Sequence, residues 1–299
     1  MDIIIIGGSF AGLSAAMQLA RARRRVLLID AGEPRNRYAS AAHGFLGQDG
    51  VAPLAIRATA RAQLAAYPAA HFHDGAATAA TATTSGFAVT CADGSTHHAA
   101  RLILATGVRD ELPALPGIRE RWGRTVLHCP YCHGYELGGA PVGVLAGHEK
   151  SAHQAALLPD WGPTTYFTQE AYEPDAEQAA LLAARGVTIE RTPVVALLGD
   201  APALTGVRLA DGRTVPLGGL FVAPRTDPGP LARQLGCALD DGFTGPLVRV
   251  DAMQQTTVPG VYAAGDAAMA MHNATLASAA GAMAGFAVHQ SLVMAALSR

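Results

Sequence analysis

Apolar residues along this chain fall into short unbroken runs more often than into alternating or helical stripes. Ile3, Ile4, Ile5 and Ile6 are four β-branched residues in a row, the pattern of a parallel strand buried on both faces. Residues 13–22, rich in alanine and leucine, have helical length and composition, and residues 26–29 form a second buried run. Residues 87–91 and 101–105 read as strands. Residues 257–263 read as a strand running into the Gly265-Asp266 turn, and residues 267–297 as a largely helical segment. The middle of the chain repeats the opening: a strand at 142–146, a turn at 147–152, a helix at 151–158 and a strand at 164–168. Strand, turn, helix, strand, twice over, predicts an α/β protein with two Rossmann-like (three-layer) dinucleotide-binding domains.

The first turn, Gly7-Gly8-Ser9-Phe10-Ala11-Gly12, assigns a physical task to each position. Gly7 permits the tight turn, and Gly12 lets the helix pack closely on the strand. The slot between them, usually glycine so that the backbone can approach a pyrophosphate, is Ser9, small and able to donate from its hydroxyl. The helix N-terminus offers amides and partial positive charge to phosphate. Asp30, at the end of the second strand, is spaced to accept from ribose hydroxyls.

Composition narrows the partners. The chain has 299 residues, half of them apolar and 15% charged, with a net charge of −2. That is enough to bury cores in one large or two ordinary domains. The near-neutral balance excludes a large basic surface for nucleic acid or anionic membrane. The arginines at 21, 23, 24 and 25 meet the negative end of the first helix dipole. No basic start precedes the isoleucines and no uncharged apolar stretch of about 18 residues is evident. The alanine-rich C-terminus is interrupted by Gly281, Gly285 and His289 and reads as a packed helix. A cytoplasmic protein is expected, where a cysteine pair tends to be catalytic or metal-bound.

His128-Cys129-Pro130-Tyr131-Cys132-His133-Gly134 is the chemically dense stretch. It admits half of a zinc site, a c-type haem attachment or a redox dithiol. The other cysteines, Cys91 and Cys237, lie far apart in sequence, whereas a four-cysteine zinc site would show two close pairs. Haem attachment needs export. A redox dithiol is favoured, and no metal site is expected.

Taken with this dithiol, the glycine turn at Gly7, Ala105-Thr106-Gly107 and the late Ala264-Gly265-Asp266 resemble the low-molecular-weight thioredoxin reductase family in order and over nearly the whole length. The resemblance implies FAD bound by Gly7, Gly8, Ser9, Gly12, Asp30, Arg35, Thr106, Gly265 and Asp266. FAD-type signals then lie at both ends, so the second domain is inserted in the first, with boundaries at 1–108 and 225–299 for the FAD domain and 109–224 for the insert. Pro34-Arg35-Asn36 and residues 43–47 resemble FAD-contacting segments of a bacterial branch. The same constellation resembles the FAD-dependent dithiol oxidases that close disulfides in natural products such as gliotoxin and holomycin. Carried over, Cys132 faces the flavin and Cys129 exchanges with substrate. The family's proton-donating acid after the second cysteine is here His133, with His128 as a second candidate acid/base. A thiolate is the reactive species, and a neighbouring histidine can take and return its proton. His43 is expected to be structural. A homodimer is implied.

The inserted turn departs from the family. It reads Gly147-His148-Glu149-Lys150-Ser151-Ala152, with Glu149 or His148 in the slot that should be glycine. Like charges about 4 Å apart repel by about 4 kcal/mol at an effective dielectric near 20. Where the family carries arginines for a 2′-phosphate, this chain has Gln169, Glu170, Glu173 and Asp175. These residues oppose NADPH, while Glu170, separated from Gly147 as Asp30 is from Gly7, still suits NADH. The leading expectation is therefore a dithiol oxidase acting on a small dithiol or thioredoxin-like protein with O2 as electron acceptor. The alternatives are an NAD(P)H-dependent thioredoxin-disulfide reductase and a flavin redox sensor.

Overall fold

The computed structural model describes residues 1–297. The principal elements, in chain order, are β1 (Ile3–Ile6), α1 (Phe10–Arg21), β2 (Val26–Asp30), α2 (Pro53–Ala65), β3 (Ala70–Asp74), β4 (Ala77–Thr83), β5 (Gly86–Cys91), β6 (Thr96–Ala99) and β7 (Arg101–Leu104). There follow β8 (Val126–Leu127), α3 (Pro130–His133), β9 (Val142–Leu145), α4 (Ser151–Leu157), β10 (Thr164–Phe167), α5 (Ala176–Ala184) and β11 (Thr188–Glu190). The last are β12 (Val194–Leu198), β13 (Gly206–Leu209), β14 (Thr214–Pro216), β15 (Gly219–Val222), β16 (Val261–Ala263) and α6 (Ala274–Leu297).

Two compact units result. One comprises Met1–Arg37, Pro53–Arg109 and the chain from Thr226 onward; the other comprises Tyr38–Ala52 and Asp110–Arg225. The chain thus crosses between units beside residues 109 and 225. Residues 38–52, which the sequence pattern groups with the first unit, belong with the second.

In the first unit a parallel sheet of order β16-β7-β1-β2-β3 has β1 at its centre. Its continuous apolar run has a simple cause, since both faces of β1 are covered. Ile3 and Ile5 pack with Ala15 and Leu19 of α1 and Ala284 and Val288 of α6. Ile4 and Ile6 pack with Phe87 and Val89 of the antiparallel β4-β5-β6 layer. The result is three layers, a helical one and a β-meander on opposite faces of the sheet. Helix α6 is closely fitted to α1: a Cβ on Gly281 would lie 2.1 Å from the Ala11 carbonyl oxygen, and one on Gly285 2.9 Å from that of Ala15.

The membrane expectation needs one correction. Helix α6 is long and apolar enough to cross a membrane by length and composition, with a mean hydropathy of 1.4 and a third of its apolar window buried. Its small residues are spent on α1. Its other side exposes Met283, Phe286, Val293 and Met294.

The second unit repeats the plan. Its parallel sheet runs β11-β10-β9-β15-β8. Val142, Val144, Tyr166 and Phe221 face Ala152, Ala155 and Leu182 on the helical side. Leu145, Phe167 and Val222 face Val194 and Val207 of the β12-β13-β14 layer. The duplicated three-layer α/β architecture expected from the sequence is present. Of the first meander only β5 was legible, as residues 87–91; β4, β6, the second meander and α2 were not, because their segments are short and largely half-exposed or exposed.

Candidate active site

The glycine turn of the first unit runs straight from β1 into α1, which begins at Phe10, earlier than the composition suggested. Gly7 has φ +108°, and a Cβ there would sit 2.1 Å from the Ala105 carbonyl oxygen. At Gly12 it would meet the Gly7 carbonyl oxygen at 1.8 Å. Backbone atoms cannot yield such space, so only glycine satisfies both positions. Ser9 occupies the N-cap without capping through its side chain, and no acid lies in the first turn of α1, which leaves the helix end suited to an anion.

Around this turn, Asp30 is buried and accepts from the Gly32 amide at 3.1 Å. Its other oxygen pairs with Arg57, whose Nε also donates to the Gly8 carbonyl at 2.9 Å. Arg35 and Asp266 form a largely shielded ion pair at 3.2 Å. Asp266 lies in the turn Gly265–Ala267, where Gly265 has φ +75°. Thr106 is exposed after β7 and its hydroxyl donates to the Pro228 carbonyl at 3.3 Å. A cradle that any Cβ would fill, an uncapped helix end and fixed acids and arginines fit a dinucleotide such as FAD.

The dithiol lies in the second unit. Cys129 is the N-cap of α3, Pro130 its first residue, and Cys129 and Cys132 are joined in a disulfide with Cα atoms 5.3 Å apart. One helical turn sets that separation, so the motif pre-forms the bridge. Gly134 is required behind it, because a Cβ would lie 2.6 Å from the Trp161 ring and 2.7 Å from the Pro130 carbonyl. Tyr131 meets Trp161 edge-on at 5.4 Å. Both Tyr131 and Tyr135 are exposed beside the disulfide.

His133 ends α3. Both ring nitrogens are sealed from solvent and complete no well-formed hydrogen bond. Burial, the largest influence, pulls its pKa below 6.5. Glu136 opposes this, His43 adds to it, and the Cys129 carbonyl favours the charged form without reaching good bonding geometry. Burial thus favours the neutral ring. His43 lies 3.5 Å from Glu136 and 3.6 Å from Asp49. His128 is placed differently: its ring tilts against Trp122 at 5.9 Å, and its carbonyl accepts from Gln154 at 2.6 Å.

The turn of the second unit, between β9 and α4, is bonded to itself. The Ser151 hydroxyl, wholly buried, accepts from the amides of Gly147 at 3.1 Å and His148 at 3.3 Å. The His148 ring accepts from the Lys150 amide at 3.1 Å. Glu149 is exposed, and its carbonyl accepts from Gln178 at 3.3 Å. The amides of Gly147, His148 and Lys150 are therefore engaged internally.

After β10, Gln169 and Glu170 both adopt left-handed φ, and the Gln169 side chain clamps the Val194 backbone at 2.7 Å. Glu170 is exposed. Arg191 donates twice to Glu173, and Asp175 caps α5. A cleft of about 420 Å³ remains at the C-terminal ends of these strands, bordered by Gly147, Gln169, Glu111 and Arg225.

The structure brings Gly7, Gly8, Ser9, Gly12, Asp30, Arg35, Thr106, Gly265 and Asp266 into one unit and the dithiol with His128 and His133 into the other. Sequence reasoning missed Arg57, which holds Asp30 from an unforeseen helix. It also missed Glu136 and His43 as neighbours of His133. An acid three residues after a histidine was the available signal for Glu136.

Comparison with known proteins agrees with this geometry. The family model described as pyridine nucleotide-disulphide oxidoreductase matches residues 1–284. The thioredoxin reductase tcpT of Claviceps purpurea is 34% identical over 95% of this chain and 92% of its own. A crystal structure of an oxidoreductase from Agrobacterium tumefaciens is 51% identical, covers 98% of both chains and superposes with a TM-score of 0.93. The structure of HlmI is 37% identical, covers 100% of this chain and 94% of its own, and has a TM-score of 0.92.

Proposed function

Because this chain belongs to the pyridine nucleotide-disulphide oxidoreductase family, as an FAD-dependent, thioredoxin reductase-like disulfide oxidoreductase, we propose that it is a dithiol oxidase with O2 as electron acceptor. The observation that carries this reading is the second turn, where the amides of Gly147, His148 and Lys150 are bonded by the Ser151 and His148 side chains. A dithiol substrate opens the Cys129–Cys132 bridge through a mixed disulfide at Cys129. The second substrate thiol then closes the substrate disulfide and leaves Cys129 and Cys132 as thiols, two electrons and two protons richer. FAD, when bound, supplies the acceptor for that electron pair and the route to oxygen, which leaves as hydrogen peroxide. The neutral His133 takes the proton that makes the attacking sulfur a thiolate. Glu136 stabilises the resulting imidazolium. Exposed Tyr131 and Tyr135 offer apolar surface to a small substrate beside the bridge.

Gly7, Gly8, Ser9, Gly12, Asp30, Arg35, Thr106, Gly265 and Asp266 are assigned to FAD binding. Among the alternatives, an NADH-dependent disulfide reductase is favoured by one feature, the cleft beside Gly147 and Gln169. The apolar outer side of α6 supports a homodimer, which light scattering would test. The oxidase reading is tested in an oxygen electrode. A dithiol without any pyridine nucleotide should consume O2 and yield an equal amount of peroxide and substrate disulfide. Oxygen uptake that requires NADH or NADPH would defeat the reading. Cys132→Ser protein should stay yellow and lose dithiol-driven bleaching; retained bleaching would reverse the sulfur assignment.

A further inference from the structure

A second cluster of sulfur, imidazole and carboxylate lies in the other unit, and the proposed oxidation makes no use of it. His73 sits near the end of β3, Cys91 ends β5, and His97 stands on β6. One donor atom from each of these three lies within 4.8 Å of the other two. The imidazoles meet edge to face with centroids 5.0 Å apart. Cys91 is a free thiol, 2% exposed. The hairpin between β5 and β6 folds a fourth donor over the cluster: Asp93 Oδ2 lies 3.7 Å from His73 Nε2. The Ser95 hydroxyl ties the group together, donating to Asp93 at 2.7 Å and lying 3.3 Å from His97 Nε2. No sequence spacing announces this group, because His73 and the Cys91–His97 hairpin belong to different sheets and meet only through the fold.

We propose that His73, Cys91 and His97, with Asp93 completing the set, form a binding site for a zinc-class divalent metal ion. One sulfur, two imidazoles and a carboxylate are the donor set of a four-coordinate tetrahedral ion. Bond lengths of about 2.0–2.3 Å to such an ion put its ligand atoms about 3.5 Å apart. The donors therefore need to close by about 1 Å, a movement within reach of side-chain rotation on fixed strands. A thiolate and imidazoles select zinc or cobalt over magnesium and calcium, which prefer all-oxygen shells. A bound ion would staple β3 of the parallel sheet to the β5–β6 hairpin of the meander.

Cobalt(II) titration of the oxidised holoprotein tests this, because the closed Cys129–Cys132 bridge is then no competing ligand. The expected result is a saturable difference spectrum at one ion per chain, with a thiolate-to-cobalt charge-transfer band and tetrahedral ligand-field bands. Zinc should displace it and magnesium should not. Cys91→Ser should abolish the charge-transfer band. His97→Asn, on the half-exposed β6 and less apt to disturb the core, should weaken binding at least tenfold and remove the zinc-dependent rise in melting temperature. A Cys129→Ser/Cys132→Ser protein should bind as the parent does. No band, a band that survives Cys91→Ser, binding unchanged in His97→Asn, or loss only with the dithiol would each overturn the proposal.

Discussion

The two glycine turns of this protein occupy the same place in the same three-layer plan, yet they differ in packing and in local hydrogen bonds. In the first, three glycines remove side chains where backbone and Asp30 crowd together. In the second, a Cβ on Gly147 would fit in ordinary van der Waals contact, 3.6 Å from the Ala223 carbonyl oxygen, and the turn's amides are held by Ser151 and His148. A fold supplies the location of a phosphate site; whether its donors are available depends on a few local hydrogen bonds. Strand and helix patterns alone would assign both turns the same ligand.

The largest effect is expected at Gly12. Gly12→Ala forces a methyl into the Gly7 carbonyl and should cost more than about 4 kcal/mol, the scale of a breach in backbone packing. The protein should lose FAD or fail to fold, as flavin content and a melting curve would report. A yellow Gly12→Ala protein of parental stability would break the comparison at its strong end.

Next comes the acid/base on the dithiol side. His133→Gln should slow dithiol-driven flavin reduction on the order of 100-fold, the usual weight of a positioned base. The parent should lose rate as pH falls below the histidine's ordinary 6.5, because its pKa is lowered and only the neutral ring accepts a proton. In His133→Gln that acid limb should vanish; a limb that persists would point to His128.

A smaller gain should follow from reopening the second turn. Glu149→Gly combined with Ser151→Ala removes an acid and releases two amides. Each hydrogen bond to a charged group is worth about 1.5–3 kcal/mol, so NADH affinity should rise about tenfold or more by fluorescence titration. An unchanged affinity would show that the internal bonds do not set nucleotide preference. The smallest effect is expected for Gly147→Ala, within about 0.5 kcal/mol of the parent in a denaturant melt. A large loss there would erase the asymmetry between the turns.

Much of this was legible in the chain because it is local. Four consecutive isoleucines mark the central strand, Gly7 and Gly12 flank a turn that admits nothing larger, and Cys129 and Cys132 lie one helical turn apart. The charge of Glu149 pointed to opposition at the second turn, but Glu149 is exposed to solvent. Ser151 and His148 engage the turn's amides through hydrogen bonds that residue type alone does not reveal. Glu173 reads from sequence as an acid facing a phosphate, whereas in the fold it neutralises Arg191, which lies beyond the end of β11. Arg57 and the His73–Cys91–His97 group escaped because each acquires meaning from a partner on another element.

The proposed function requires that electrons enter through the dithiol and not through a nicotinamide. The direct measurement is anaerobic stopped-flow reduction of the oxidised holoprotein, with a small dithiol, NADH and NADPH in separate runs. The expected result is rapid bleaching of the flavin by the dithiol, slow or absent bleaching by either nucleotide, and peroxide when air is readmitted. Rapid bleaching by NADPH or NADH would contradict it.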